Sequence, residues 1–459
     1  MTARQPTWVE QLADWLLVDR DVPDEVSHAA ERATLDAVAC AAGAVDHPAG
    51  MAMRRVVERL GGNPECALLF EEARTSLPHA VLYNATLVRA LDHNDIYYRA
   101  GPKGHPSDNV PAALAVAARE HANGQDFVRS VATGYELFCR LQELLRGVTS
   151  SPWDYVSFSG LVSAAIAGML GGLDRDCLAH ALALGGAQTL TPRQVRRGEI
   201  SMAKAVVGAL ASQAGLIGYL CATSGMTGPL GLLESADGLL AGAGIEPTAD
   251  ACETLLGPVG RWRILDVSTK PYPAIGTSQA AVSGILDLVI EHDIVSEQVD
   301  QIEVLVPDSS VTRQHLAEHA RSLPDSRESA DHSIPFLLAV ALEDRELTPR
   351  QFANQRWLDP TTRDLLQRVR QRPSADLCAF DTWGQPAVVA VRLRDGRRLT
   401  REVLRPPGSP ENPEDDVALI RKFVALAGSV LEHEAATGMA QALLGVGSCH
   451  DVATLVLHA

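Results

Sequence analysis

Aromatic residues are scarce in this chain, at 5% against 46% hydrophobic overall. With few large rings to fill an interior, small aliphatic side chains must do so. Ala and Gly are abundant, Ala is the best helix former, and closely packed helices are therefore expected to dominate. Positive charge is also short. Forty Lys and Arg face 57 Asp and Glu, for a formal net charge of -17. A nucleic-acid binder needs a basic field, so no nucleic-acid partner is expected. The eight cysteines form no CxxC pair, and no His cluster accompanies them. Disulfides and zinc are thus not expected, and a reducing cytoplasm fits. The opening segment MTARQPTWVEQLADW lacks a signal-peptide apolar region. The longest apolar run, from Gly160 to Leu173, is glycine-broken and too short to span a membrane, so no membrane partner is expected. There is no HExxH, no P-loop, no GxGxxG after a strand and no GxSxG elbow. Metal hydrolysis, phosphoryl transfer and hydride transfer are disfavoured accordingly.

A chain of 459 residues is too long for one ordinary core, which predicts two domains. The first 266 residues read as helix after helix, among them Glu25–Ala42, Ala112–His121, Leu161–Leu170 and Lys204–Thr223. Breaks at Gly61-Gly62-Asn63-Pro64 and Gly225–Gly228 punctuate them. Near Lys270 the pattern changes. Val299, Ile302, Val304 and Val306 suggest a strand. Val389, Val391 and Leu393 alternate with Ala390, Arg392 and Arg394, and Asp395-Gly396 then predicts a hairpin into Arg397–Thr400. Helical stretches at Ile334–Ala341 and Thr361–Val369 lie between these strands. Pro406-Pro407-Gly408 and Pro410 to Pro413 form a linker, after which Val417–Ala427 and Met439–Leu444 return to helix. The expected fold is mainly α. A large helical domain is built from residues 1–266 and 405–459, with a smaller α+β domain, 267–404, inserted.

Three segments carry candidate chemistry. In the first, Asp92, His93 and Asp95 are followed by Gly104-His105-Pro106-Ser107-Asp108-Asn109, with Ile96 to Lys103 read as a loop. Ser107 or Asp108 could cap a helix starting near Val110, whose N-terminus favours a bound carboxylate. The alternative is a polar, well-capped turn. In the second, Lys204 opens an apolar helix with no further Lys or Arg until Arg261. Such a lysine sits at a rim or is aimed into a cavity. In the third, two prolines hold Lys270 extended in Lys270-Pro271-Tyr272-Pro273, at the inferred domain junction. Pockets gather at such junctions, though a hinge would look the same.

The spaced set Leu91-Asp92-x-Asn94-Asp95, Gly104-His105-Pro106-Ser107-Asp108-Asn109, Met202-x-Lys204, Lys270-Pro271-Tyr272-Pro273 and Ala330-Asp331-His332-Ser333-Ile334-Pro335, with Gly408 through Asn412-Pro413, resembles the MmgE/PrpD family. That family includes 2-methylcitrate dehydratase and cis-aconitate decarboxylase. The resemblance implies a helical domain from both chain ends, an inserted α+β lid, a homodimer, and no metal or organic cofactor. It places Asp92, His105, Lys204 and Lys270 in a pocket between the domains, with His93, Asp95, Ile96, Ser107, Tyr272 and His332 as further substrate contacts. Two positions depart from the family pattern. Ile96 stands where many relatives have Thr, and Tyr155 where many have His. The second change moves an unperturbed pKa from about 6.5 to about 10.

The expected activity is that of a lyase on a small polycarboxylate. In dehydration of a 2-methylcitrate-like β-hydroxy acid, Lys204 and Lys270 would clamp carboxylates and stabilise developing charge. His105 would act as general base or acid, Asp92 would orient it or act as the partner acid or base, and Tyr155 would protonate the leaving hydroxide. Decarboxylation of a cis-aconitate-like acid, epimerisation, and a non-catalytic ligand-binding protein on the same fold stay open. In a chain this acidic, the cations must be concentrated where an anionic substrate binds.

Overall fold

Small residues let the helices of the first half meet backbone to backbone. The helices Ser159–Leu170, Arg175–Gly186 and Ala203–Thr223 pack against one another, and the last also against Leu77–Ala90. Glycines form their crossings. A Cβ at Gly215 would lie 2.4 Å from the Gly160 carbonyl oxygen, and one at Gly218 would lie 2.4 Å from the Gly185 nitrogen. By length and composition Ala203–Thr223 could cross a membrane, which the reading of Gly160–Leu173 as the longest apolar run missed. Its packing on three other helices is that of a core helix. The computed structural model describes residues 4–99, 103–148, 151–380 and 385–455.

The chain is mainly helical, with small sheets. Its buried hydrophobic residues fall into two clusters. One runs from Val9 to Ile264 and takes in Leu419, Phe423, Leu443 and Val446 from the C-terminal helices Asp416–Ala427 and His433–Leu444. The other lies between Ala274 and Leu393. It is built on a four-stranded sheet in the order Val369–Ser374, Val299–Pro307, Ala387–Leu393, Arg398–Val403. The last two strands are the expected Asp-Gly hairpin, with Gly396 at φ +91°. The helix expected at Thr361–Val369 ends earlier, spanning Pro360–Leu366. Val369 instead opens an edge strand, parallel to Val299–Pro307 and paired through Ile302. Its sequence, Val-Arg-Gln-Arg-Pro-Ser, is too polar to read as a strand, and Pro373 is tolerated because the strand lies at the edge.

A third sheet matters most for the site. Ile96–Tyr98 pairs with Lys103–Gly104 on one side and with Val267–Ser268 on the other, with Ile96 opposite Ser268. Ile96 and its neighbours are therefore strand, not the expected loop; positions 100–102 of that stretch lie outside the described residues. This sheet brings together the Asp92–Asp95 turn and Lys270, which lies 178 residues beyond Asp92 in sequence. The helix Val110–Arg119 begins where expected. It is preceded by a 3-10 turn, Pro106–Asn109, so neither Ser107 nor Asp108 caps it.

Candidate active site

The Leu77–Ala90 helix delivers Arg89 in its last turn, and the chain then reverses through Asp92 at φ +51°. A left-handed conformation is uncommon outside glycine, although Asp tolerates it better than most residues. Strong partners hold Asp92 there. Its carboxylate accepts from Arg89 at 2.6 Å and from Lys270 at 2.9 Å, and pairs with Lys204 at 3.2 Å. Its carbonyl accepts a second bond from Lys270 at 2.6 Å. Lys204, one residue into the Ala203–Thr223 helix, also donates to the Asp331 carboxylate at 3.2 and 3.3 Å and lies 3.4 Å from His332 Nδ1. His332 Nδ1 contacts Asp331, and Nε2 lies 3.7 Å from the Asp92 carboxylate. Arg327 approaches Asp331 at 3.5 Å.

Arg89, Lys204, Lys270 and Arg327 thus face two carboxylates, those of Asp92 and Asp331. This is a positive island inside an acidic protein, and nearly all of it is buried. Burial alone would raise the pKa of Asp92, but Lys204, Lys270 and Arg89 together hold it well below the usual range. Burial draws the Lys270 ammonium down to about 8, with Asp92 opposing. It lowers Lys204 too, against the pull of Asp331 and Asp92. His332 is drawn down to about 4 by burial and then by Lys204.

His105 stands beside this island. Burial, then Arg89 and Lys270, hold its pKa well below 6.5, so the ring is neutral near pH 7. Its Nδ1 meets the Asp95 carbonyl. A carbonyl only accepts, so Nδ1 carries the proton and Nε2 the lone pair. The expectation that Asp92 orients His105 is corrected here: the Asp95 backbone does so, while Asp92 is committed to the cations. The Tyr155 ring lies 5.7 Å from the His105 ring. Arg196 stacks on Tyr155 at 4.6 Å, donates to its hydroxyl at 3.0 Å, and pairs with Asp154 at 2.6 Å. Burial pushes the phenol well above its ordinary range, so it is no base near neutrality.

The other expected contacts separate. The Asp95 carboxylate accepts from Tyr135 at 2.8 Å and from the Ser107 hydroxyl at 2.5 Å, while Ser107 accepts from Asn94 at 2.9 Å. Burial pushes Asp95 up to about 7, against the Ser107 bond. Asp95 and Ser107 therefore brace the loop that carries His105, rather than offering free groups to a ligand. His93 is buried, and its carbonyl accepts from Lys422 at 2.8 Å. Tyr272 packs against the second hydrophobic cluster, outside the charged island. Ile96 lines a small cavity with Tyr98, Lys270, Pro406 and Pro407.

Sequence reasoning gave no role to Arg89, Arg327, Asp331 or Lys422. Arg89 had a readable signal, a single Arg in the apolar run Thr-Leu-Val-Arg-Ala-Leu, and Asp331 adjoined the flagged His332. Arg327 and Lys422 sit in ordinary mixed-charge helical sequence and gave none. Asp92, Asp331 and His332 also present ligand atoms within 4.8 Å of one another, a spacing a metal ion could use. The Lys204 ammonium already lies between these three groups and supplies the positive charge. A separate cleft lined by Arg140, Arg261, Arg263, Glu253 and Asp266 is also rich in arginine. Its cations are spent locally, Arg263 on Glu136 and Glu143 and Arg261 on Asp266.

Comparison with known proteins bears on the family of the chain. The MmgE/PrpD N-terminal domain matches residues 10–250 and the MmgE/PrpD C-terminal domain matches 272–444. Lys270 falls in the short gap between them. A cis-aconitate decarboxylase of Aspergillus terreus is 23% identical over 458 residues, covering 96% of this chain and 93% of that protein. The cis-aconitate decarboxylase of Aspergillus terreus strain NIH 2624 is 23% identical, with 99% and 95% covered. That of Mus musculus is 24% identical, with 77% and 72% covered. With both domain matches in order and spanning most of its length, the chain belongs to the MmgE/PrpD family.

Proposed function

We propose that this protein is a metal- and cofactor-independent lyase for a small polycarboxylate, and that its reaction is decarboxylation of a cis-aconitate-like unsaturated tricarboxylate. The observation that carries the reading is the convergence of Arg89, Lys204, Lys270 and Arg327 on two buried carboxylates beside a neutral His105. The names of the three relatives support decarboxylation over the dehydration first expected from sequence.

The chemistry follows from the charges. When the methylene-bound carboxylate leaves as carbon dioxide, the electrons of the broken C–C bond form a new methylene double bond. The old double bond's electrons move onto the carbon that bears the neighbouring carboxylate and are delocalised into it, and a proton delivered to that carbon by His105 or Tyr155 gives itaconate. Negative charge peaks on that carboxylate in the transition state, where Lys204 and Lys270 stabilise it; such preorganised charge is often the largest catalytic contribution. A bound polyanion also raises the pKa of His105, so that Nε2 can take up a proton and deliver it. Tyr155, held by Arg196, is the second donor. Ile96 and His332 shape the ends of the site. The segment 267–404 acts as a lid that must part from the helical body to admit a ligand to so buried a cluster.

One observation favours a second reading. A neutral His105 with its lone pair on Nε2 is a ready base, which suits proton removal from a 2-methylcitrate-like β-hydroxy acid followed by loss of hydroxide. A proton NMR time course with cis-aconitate, 2-methylcitrate and citrate, with and without EDTA, separates the two. Itaconate from cis-aconitate, unaffected by EDTA, is the expected result. Vinylic product from a hydroxy acid would make the enzyme a dehydratase, and loss of turnover in EDTA would overturn metal independence. No turnover of any of the three would overturn the lyase reading for these substrates. A homodimer in a reducing cytoplasm completes the proposal; light scattering showing only monomer at micromolar concentration would remove the dimer.

A further inference from the structure

Three lines of backbone meet at one side chain outside the charged island. Lys422 lies on the C-terminal helix Asp416–Ala427, beyond the proline-rich linker, and packs against the Asp24–Ala42 helix. Its side chain is 7% exposed and that of its partner Asp36 is 1% exposed. The ammonium donates to the Asp36 carboxylate at 2.7 Å, to the His93 carbonyl at 2.8 Å and to the Lys270 carbonyl at 2.9 Å. An ammonium has three donors, and all three are used.

The two carbonyls are those of site segments. His93 directly follows Asp92, whose backbone is left-handed, and Lys270 is the residue whose ammonium grips the Asp92 carboxylate and carbonyl. We propose that Lys422 is a positioning residue: it ties the backbone of the Asp92 turn to the backbone of the Lys270 stretch, and so sets the Asp92–Lys270 geometry on which the site depends. The three-stranded sheet pairs these segments only through Ile96 with Ser268 and Tyr97 with Val267, short of the residues that bear the charges. Lys422 closes the remaining gap. It also makes the C-terminal segment part of the site while touching neither reacting atoms nor substrate. Cys40, Glu414 and Asp36 are the titratable groups that act on it.

The inference rests on the proposed function for its kinetic readout, and a second readout is independent of any substrate. Lys422→Met keeps the length and loses the donors, while Lys422→Arg keeps the charge and several donors. A misplacement of about 1 Å in such a site costs on the order of 100-fold in rate. Lys422→Met is therefore expected to lose about that factor in kcat on the substrate the wild type turns over, with KM changed by less than about threefold. Lys422→Arg is expected to recover at least about tenfold of the loss. In parallel, NMR of protein carrying carbon-13 at the lysine ε-carbons, followed across pH with the signal assigned by its loss in Lys270→Met, reports the Lys270 titration directly. Its midpoint, about 8 in the wild type, is expected to move in Lys422→Met and to return in Lys422→Arg. A variant with lowered melting temperature but unchanged kcat and unchanged Lys270 titration would make Lys422 merely structural and overturn the inference. A wild type inert on all substrates would sink the proposed function, while the Lys270 titration would still decide the role of Lys422.

Discussion

Asp92 concentrates the physics of the site in one side chain. It has a left-handed backbone, and its carboxylate neutralises Arg89, Lys204 and Lys270. Removing its charge leaves buried cations unpaired, which costs about 3–5 kcal/mol for a typical buried pair. Asp92→Asn is therefore expected to lower the unfolding free energy measured in urea by an amount in that range; an unchanged free energy would show that the cations are not held by this carboxylate. The second residue-scale prediction concerns pH. Lys270 is charged below its pKa of about 8 and loses its proton as pH rises through that value. The charge needed at the developing carboxylate disappears with it. The kcat/KM profile, which reports the free enzyme, should fall tenfold per pH unit on the alkaline side, beginning near pH 8. A profile level to pH 9.5 would exclude Lys270 as the essential cation. Lys204 and Lys270 were legible in sequence because a lone lysine in apolar or proline-fixed surroundings is conspicuous. The partner of His105 was not, because a backbone carbonyl leaves no trace in residue identity.

At the scale of elements, glycine decides how the helices cross. A Cβ at Gly215 would meet the backbone of Gly160, which cannot rotate aside. Gly215→Ala is expected to destabilise the protein by about 1–3 kcal/mol through overpacking. Gly438 offers the opposite case. It lies within the His433–Leu444 helix, and a Cβ there meets nothing within 4 Å. Gly438→Ala is expected to stabilise by up to about 1 kcal/mol through helix propensity. Chemical denaturation of the two variants should show shifts of opposite sign, and shifts of the same sign would contradict the packing account. The long helices and the Asp-Gly hairpin were legible because their periods run over many residues. The three-stranded sheet at the site was not, because strands such as Lys103–Gly104 and Val267–Ser268 are too short to show any period. The polar edge strand Val369–Ser374 escaped for a different reason, having no buried face along most of its length.

At the scale of the whole molecule, a net charge of -17 surrounds an island with more cations than carboxylates. The long-range field of such a charge repels a polyanion, whereas the field of the island attracts one. Each arm of the island comes from a different part of the chain: Arg89 and Asp92 from one turn, Lys204 from the longest apolar helix, Lys270 from the stretch before the second hydrophobic cluster, and Arg327 and Asp331 from within the segment that holds that cluster. Spacing in sequence revealed that these segments belong together through their family resemblance. It could not reveal that Asp331 and Arg327 complete the charge balance, or that Asp95 and Ser107 brace the loop, because those roles depend on which groups the fold brings within bonding distance.

The most direct test of the account compares cis-aconitate turnover by proton NMR for wild type, Lys270→Met and His105→Ala, each checked for folding by circular dichroism. Loss of one preorganised charge or one proton donor costs on the order of 100-fold or more in kcat. The account predicts that wild type forms itaconate and that both folded variants lose at least that factor. Wild-type turnover retained in both variants would contradict it, since the chemistry would then lie elsewhere in the molecule.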